Sequence, residues 1–211
     1  MLDYTEYTKI LLGLIAIVNP LGAVPIFVAL TNGAQEKERK AIAQTVVITV
    51  TLVLLASLMI GEVLLNFFGI TVNSFRVGSG ILIFLMAVSM MQARLSRVVH
   101  TREEVEEGES KESVAVVPLS LPLLAGPGAI STVILYSNKG SGLGHYLFIG
   151  LDILLLGFLL WVVLQSVPWI TRHVSQTGIN IFTRIMGLIL AAIAVEFIAA
   201  GIKGIFPGLA T

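Results

Sequence analysis

Asn19-Pro20-Leu21-Gly22-Ala23-Val24-Pro25 lies inside an apolar run, where a membrane-crossing helix is least expected to be interrupted. Proline removes a backbone donor and clashes with the carbonyl one turn earlier, and glycine adds backbone freedom, so a helix entering this stretch unwinds or kinks. A second stretch repeats the first. Leu121-Pro122-Leu123-Leu124-Ala125-Gly126-Pro127-Gly128 has its prolines at the same spacing, each 102 positions further along, from Pro20 to Pro122 and from Pro25 to Pro127. Broken helices at matching places in both halves of an apolar chain point to the substrate site of a secondary transporter.

Composition sets the surroundings in which those breaks must be read. A chain of 211 residues that is 56% hydrophobic and 12% charged cannot cover its own surface with polar groups, and belongs in a lipid bilayer. Its 13 Lys and Arg balance 13 Asp and Glu, so no basic excess suggests a nucleic-acid partner. Cysteine is absent, which excludes disulfides and thiolate chemistry. The start, Met-Leu-Asp-Tyr-Thr-Glu-Tyr-Thr-Lys, has neither a basic n-region nor a small-residue cleavage site, so the first apolar run is expected to be a retained span.

Six apolar runs are long enough to cross ~30 Å of hydrocarbon as helix. They fall at Tyr7–Leu30, Ala41–Phe67, Phe75–Ala93, Val114–Leu135, Tyr146–Ile170 and Ile181–Ile202. The predicted fold is therefore an all-α polytopic membrane protein of six transmembrane helices, with helices one and four broken near the bilayer midplane. Residues 1–95 form a first three-helix repeat, 96–113 a charged cytoplasmic linker, and 114–211 a second, inverted repeat. The polar segment Arg94–Ser113 holds Glu103, Glu104, Glu106, Glu107, Glu109 and Glu112 and reads as a solvated connection, with partner binding as the sharper alternative.

Orientation follows from Lys and Arg alone. The connections after spans one, three and five carry nine of them, namely Lys37, Arg39, Lys40, Arg94, Arg97, Arg102, Lys111, Arg172 and Arg184; Lys9, Arg76, Lys139 and Lys203 lie on the other side. This asymmetry predicts a multi-pass protein of the cell membrane with both termini outside. Three spans per half make the second half cross in the opposite sense to the first. The third span of each half also begins alike, Ile70-Thr71-Val72-Asn73-Ser74-Phe75-Arg76 against Gly178-Ile179-Asn180-Ile181-Phe182-Thr183-Arg184.

At these residues the chain resembles the MarC/SnatA family of six-span inner-membrane proteins. The resemblance is carried by Asn19-Pro20-Leu21-Gly22-Ala23-Val24-Pro25-Ile26-Phe27-Val28-Ala29-Leu30-Thr31 and by Pro118-Leu119-Ser120-Leu121-Pro122-Leu123-Leu124-Ala125-Gly126-Pro127-Gly128-Ala129-Ile130-Ser131-Thr132. It extends over essentially the whole chain, with its charged central loop. What the resemblance implies is transport of small neutral amino acids, without a cofactor or metal. The family's older association with antibiotic resistance is not carried over.

The breaks themselves permit that chemistry. Unwound backbone in a bilayer leaves N–H and C=O groups that cost several kcal/mol each unless protein, water or ligand satisfies them. A zwitterionic amino acid fits, its carboxylate on free N–H groups at a half-helix N-terminus and its ammonium on carbonyls at an opposing end. Both motifs lack charged side chains, and Gly22, Ala23, Ala125, Gly126, Gly128 and Ala129 leave little bulk around the backbone, so a small substrate such as glycine, alanine or serine is expected. The candidate substrate-binding residues are Asn19, Pro20, Gly22, Ala23, Ser120, Ala125, Gly126, Gly128, Ser131 and Thr132. For the polar ones, the alternative is local repair of the kink.

Ionisable residues within spans default to functional candidates. Glu196 is furthest from either end of its span and is the first candidate for a coupling proton; pairing with Lys203 on the same helix face is its structural alternative. Glu62 and Asp152 stand near the expected outer ends of spans two and five, where interfacial hydration competes with coupling.

A channel and an intramembrane hydrolase are the competing classes. Val77-Gly78-Ser79-Gly80 places a serine between glycines, but His100, His145 and His173 fall in loops or at span ends, and no H-E-x-x-H motif is present. These small residues read better as a helix-packing surface than as an enzyme site.

Overall fold

The computed structural model describes residues 2–31, 33–92 and 124–209. Ser120 and the charged linker lie outside them. Among the described residues there are eight α-helices: α1 (Tyr4–Val18), α2 (Val24–Leu30), α3 (Glu36–Phe67), α4 (Val72–Met91), α5 (Pro127–Ser137), α6 (Leu143–Gln165), α7 (Val167–His173) and α8 (Gln176–Ile205). A 3₁₀ turn at Pro207–Leu209 follows.

The helix starts are written in local chemistry. Asp3 accepts from the Tyr4 N–H ahead of α1, Gln35 and Glu38 form a capping box at α3, Thr71 accepts from the Ser74 N–H at α4, and Ser175 accepts from the Gly178 N–H at α8. Proline opens three of the others, Pro25 in α2, Pro127 in α5 and Pro168 in α7, where its missing N–H removes no intrahelical bond.

Four helices, α3, α4, α6 and α8, are long and apolar enough to cross a membrane. The first expected span is divided into α1 and α2, as the Asn19–Pro25 motif predicts. The fifth is divided as well, which its sequence reading did not anticipate: α6 ends at Gln165, Ser166 turns, and α7 begins around Pro168. Of the fourth expected span only the part from Leu124 onward is described, as α5 with the residues leading into it.

The helices are arranged in crossed pairs. α8 lies along α4 and α3 along α6; α5 packs on α3 and α4, while α1 packs on α6 and α8; α1 and α5 meet each other in the middle. The α4–α8 pair is antiparallel and close. A Cβ at Gly187 would meet the Ala87 carbonyl at 3.0 Å, one at Gly80 the Ala194 carbonyl at 2.9 Å, and one at Gly201 the Asn73 carbonyl at 2.9 Å, so glycine lets the two backbones touch along most of their length.

The core runs through this arrangement. Ile10 and Leu14 of α1, Phe27 of α2, Leu54 of α3, Ile83 of α4, Leu135 of α5 and Ile149 and Leu156 of α6 are fully buried. Leu52, Phe67, Leu147, Phe158, Trp161 and Leu188 are exposed, forming the apolar exterior that hydrocarbon would solvate.

Candidate functional site

The first break is built by Asn19. It caps α1 in the left-handed region at φ 47°, the single non-glycine residue with positive φ among those described, and donates its N–H to the Ile15 carbonyl at 2.9 Å. Asparagine tolerates this conformation because its short amide bonds locally. Here the Asn19 Oδ1 accepts from the Gly22 N–H at 3.3 Å, and the Asn19 carbonyl accepts from the Ala23 N–H at 3.2 Å. Gly22 must be small, because a Cβ there would run into the Asn19 amide. Asn19, Pro20 and Ala23 are buried and Gly22 is half-buried. The Asn19 side chain is thus engaged with the kink's own backbone.

The second break leads into α5. Gly126 caps the helix in extended conformation, Pro127 has no N–H, and the first intrahelical bond runs from the Ile130 N–H to the Gly126 carbonyl at 3.1 Å. Gly128 and Ala129 are buried, and their N–H groups at the positive end of α5 meet no protein acceptor among the described residues. The Thr132 hydroxyl is spent on the Gly128 carbonyl at 2.8 Å. Ser131 and Ala125 are buried beside these groups.

The fold brings the two breaks together. A Cβ at Gly128 would meet Met86 Sδ at 3.1 Å and Ile83 Cγ1 at 3.3 Å from α4, and Ile17 Cγ2 at 3.5 Å from α1, two residues ahead of Asn19. The start of α5 and the end of α1 therefore pack in one interior.

The acids separate clearly. Glu196 and Glu62 are exposed on α8 and α3, and Glu196 makes no ion pair with Lys203; the ion pairs among the described residues are Lys9–Glu6 and Lys40–Glu36. Depth in the span predicts burial at Glu196, but its face of α8 points away from the bundle. Asp152 is instead buried, and its Oδ2 has no hydrogen-bond partner among the described residues. It does not sit at a helix end: α6 begins at Leu143, nine residues earlier. Gly150 faces Leu58 and Gly157 faces Thr51 on α3, while Gly61 of α3 faces Ile134 of α5. That register sets Asp152 at the height of the first turn of α5.

Ser79 is buried with an unpartnered Oγ, and Gly80 does pack against α8, whereas a Cβ at Gly78 would meet nothing. His145, expected at a span end, is in the first turn of α6 and fully buried, at 0% exposure. Its Nδ1 lies 2.9 Å from Tyr7 Oη and its Nε2 lies 3.0 Å from the Tyr136 carbonyl, so both ring nitrogens are occupied away from Ser79. Sequence patterning could not find this contact, because Tyr7 and His145 are 138 positions apart and belong to no motif.

A cavity of about 410 Å³ opens beside Leu21, between α6, α7 and α8, with Val163, Ser166, Trp169, Ile179 and Phe182 in its wall. Ser166 is its one polar side chain, so the cavity suits hydrocarbon better than a zwitterion.

Residues 4–206 match the profile of the MarC family integral membrane proteins. The chain belongs to the MarC family. It is 41% identical over 207 residues to the UPF0056 membrane protein YhcE of Escherichia coli (strain K12), covering 98% of this chain and 96% of that protein. It is 42% identical over 207 residues to the UPF0056 membrane protein BU267 of Buchnera aphidicola, with the same coverage, and 39% identical over 207 residues to the UPF0056 membrane protein YvbG of Bacillus subtilis, covering 98% of each chain. No solved structure matches this MarC chain. As a member of this family it is an integral membrane protein, and its apolar exterior is the surface such a protein turns to lipid.

Proposed function

We propose that this protein is a secondary carrier of small neutral amino acids, such as glycine, alanine and serine, rather than an enzyme. The observation that carries the reading is the buried pair of N–H groups at Gly128 and Ala129 that meet no acceptor among the described residues, with Gly128 packed close to Ile17 near the end of α1. A substrate carboxylate would accept from that pair at the positive end of α5, and its ammonium would donate to carbonyls released at the first break. Glycine and alanine around both breaks favour a small side chain.

In this reading the chain spans the cell membrane six times as two inverted three-helix repeats, α1 to α4 and the segment from Val114 through α8. The pairing of helices supports it. Exchanging the halves turns α3 on α5 into α6 on α1, and α4 on α5 into α8 on α1, and leaves α4 on α8, α3 on α6 and α1 on α5 unchanged. Both termini face outside. Transport is coupled to a proton, and Asp152 is the acid assigned to it, since among the described residues it is the one span carboxyl that is buried, with an Oδ2 that has no hydrogen-bond partner there.

Counterflow in proteoliposomes tests the carrier. Preloaded unlabelled glycine should accelerate uptake of labelled glycine, and alanine and serine should compete better than leucine, lysine or glutamate. Gly128→Val should abolish the exchange, because its side chain would press on Met86, Ile83 and Ile17 and fill the space between the two breaks. Uptake that ignores preloaded substrate would mark a channel instead.

A further inference from the structure

We propose that Tyr7, His145 and the Tyr136 carbonyl form a gate that closes the route from the N-terminal face of the protein to the two breaks. The proposal rests on the carrier reading above and adds to it where and how one side is shut.

The geometry begins with the two helices that carry the breaks. α1 runs from the N-terminal face down to Asn19, and α5 runs from Pro127 back to the same face, ending at Ser137. From Tyr7 to Asn19 is about 18 Å of helix and from Pro127 to Tyr136 about 14 Å, at about 1.5 Å per residue. α1 and α5 pack on each other between that face and the breaks, so a route between them opens only when their ends part. His145 joins those ends, with one ring nitrogen on the α1 side chain and the other on the α5 backbone.

The proton positions follow from the partners. A carbonyl can only accept, so His145 Nε2 donates to the Tyr136 carbonyl; a neutral imidazole then has Nδ1 as acceptor, and the Tyr7 hydroxyl donates to it. The Leu2 N–H donates in turn to Tyr7 Oη at 3.3 Å. Every polar atom of the contact is used, which suits a dry seal.

Packing completes the seal. Phe148 stacks on the Tyr7 ring with centroids 4.8 Å apart, and the backbone at Gly140 lies against the imidazole, where a Cβ would meet Nδ1 at 2.8 Å. Lys139 sits over the Tyr136 ring at 4.7 Å on the outer side. The contrast with the α4–α8 seam is what makes this contact a gate. That seam joins backbone to backbone along two long helices, whereas the gate joins the ends of α1, α5 and α6 through one side chain, so that it opens when those ends part.

The cysteine-free chain allows a direct test. Ile10, one turn inward from Tyr7 and fully buried, is changed to cysteine and reacted with a polar maleimide in nanodiscs, where both faces are reachable. Adding Tyr7→Phe should raise its labelling rate at least tenfold, and Gly140→Ala, which pushes on the imidazole from a loop, should do the same. Unchanged labelling in both well-folded variants would overturn the gate. Separately, Tyr7→Cys with Phe148→Cys, bridged through two disulfides by a short bis-methanethiosulfonate that expels a sulfinate at each thiol, should lose glycine exchange at least tenfold and regain it on reduction. Exchange that continues through the bridge would also overturn it. Labelling needs no transport, so a wild-type protein that fails to exchange glycine would sink the carrier reading while the labelling still decides the gate.

Discussion

Asn19 holds the first break open by making its own repairs. Asn19→Leu would force a branched side chain into the left-handed region, at roughly 1–2 kcal/mol, and leave the Gly22 N–H without its acceptor, at about 1–3 kcal/mol. Asn19→Gly keeps the backbone conformation and loses only the side-chain bond. Thermal unfolding in detergent should therefore rank wild type above Asn19→Gly and Asn19→Gly above Asn19→Leu. Equal losses in the two variants would mean that φ 47° is not what selects asparagine here. Asp152 makes the opposite kind of prediction. Asp152→Asn should preserve glycine exchange at equal concentrations and remove accumulation driven by a proton gradient, with Glu196→Gln leaving both intact because Glu196 is exposed. Gradient-driven accumulation surviving in Asp152→Asn would move the coupling group elsewhere.

At the scale of elements, glycine positions sort by what lies beside them. Gly187→Ala and Gly201→Ala each press a methyl against backbone on α4, within 3.0 Å and 2.9 Å of a carbonyl, and should cost about 1–3 kcal/mol each. Gly78→Ala meets nothing within 4 Å and should be neutral or stabilising by up to about 1 kcal/mol, since alanine is the better helix former. Chemical unfolding of the three variants checks the order, and a destabilised Gly78→Ala would contradict the packing described. Gly61 and Gly157 look from sequence like innocuous span glycines, yet Gly61 abuts Ile134 and Gly157 abuts Thr51. Both meet side chains where the seam glycines meet backbone, so they fall between the seam glycines and Gly78.

For the whole molecule, orientation and architecture are separate questions. Nine Lys and Arg in the odd connections against four elsewhere predict that the N-terminus faces outside. Tyr4, at the start of α1, and Lys37, in the first turn of α3, are both exposed and lie on either side of the first divided span. An impermeant thiol reagent on right-side-out vesicles should label Tyr4→Cys and spare Lys37→Cys until the membrane is permeabilised. The reverse pattern would invert the assignment without touching the fold.

Much of this protein is local and so is visible in the sequence. Proline at position 20 or 25 interrupts a helix whatever surrounds it, the capping residues Asp3, Thr71 and Ser175 act within one turn, and the apolar runs are set by the thickness of the bilayer. The break at Ser166 and Pro168 carries the same proline signal without a matching partner in the other half. What depended on the tertiary structure is which face of each helix turns inward. Glu196 and Asp152 look alike as acids within apolar runs, and only the packing of α8 on α4 and of α6 on α3 exposes one and buries the other. The same holds for Tyr7 and His145, because a contact across 138 residues is decided by how two helices meet, and neither helix records its partner in its own pattern.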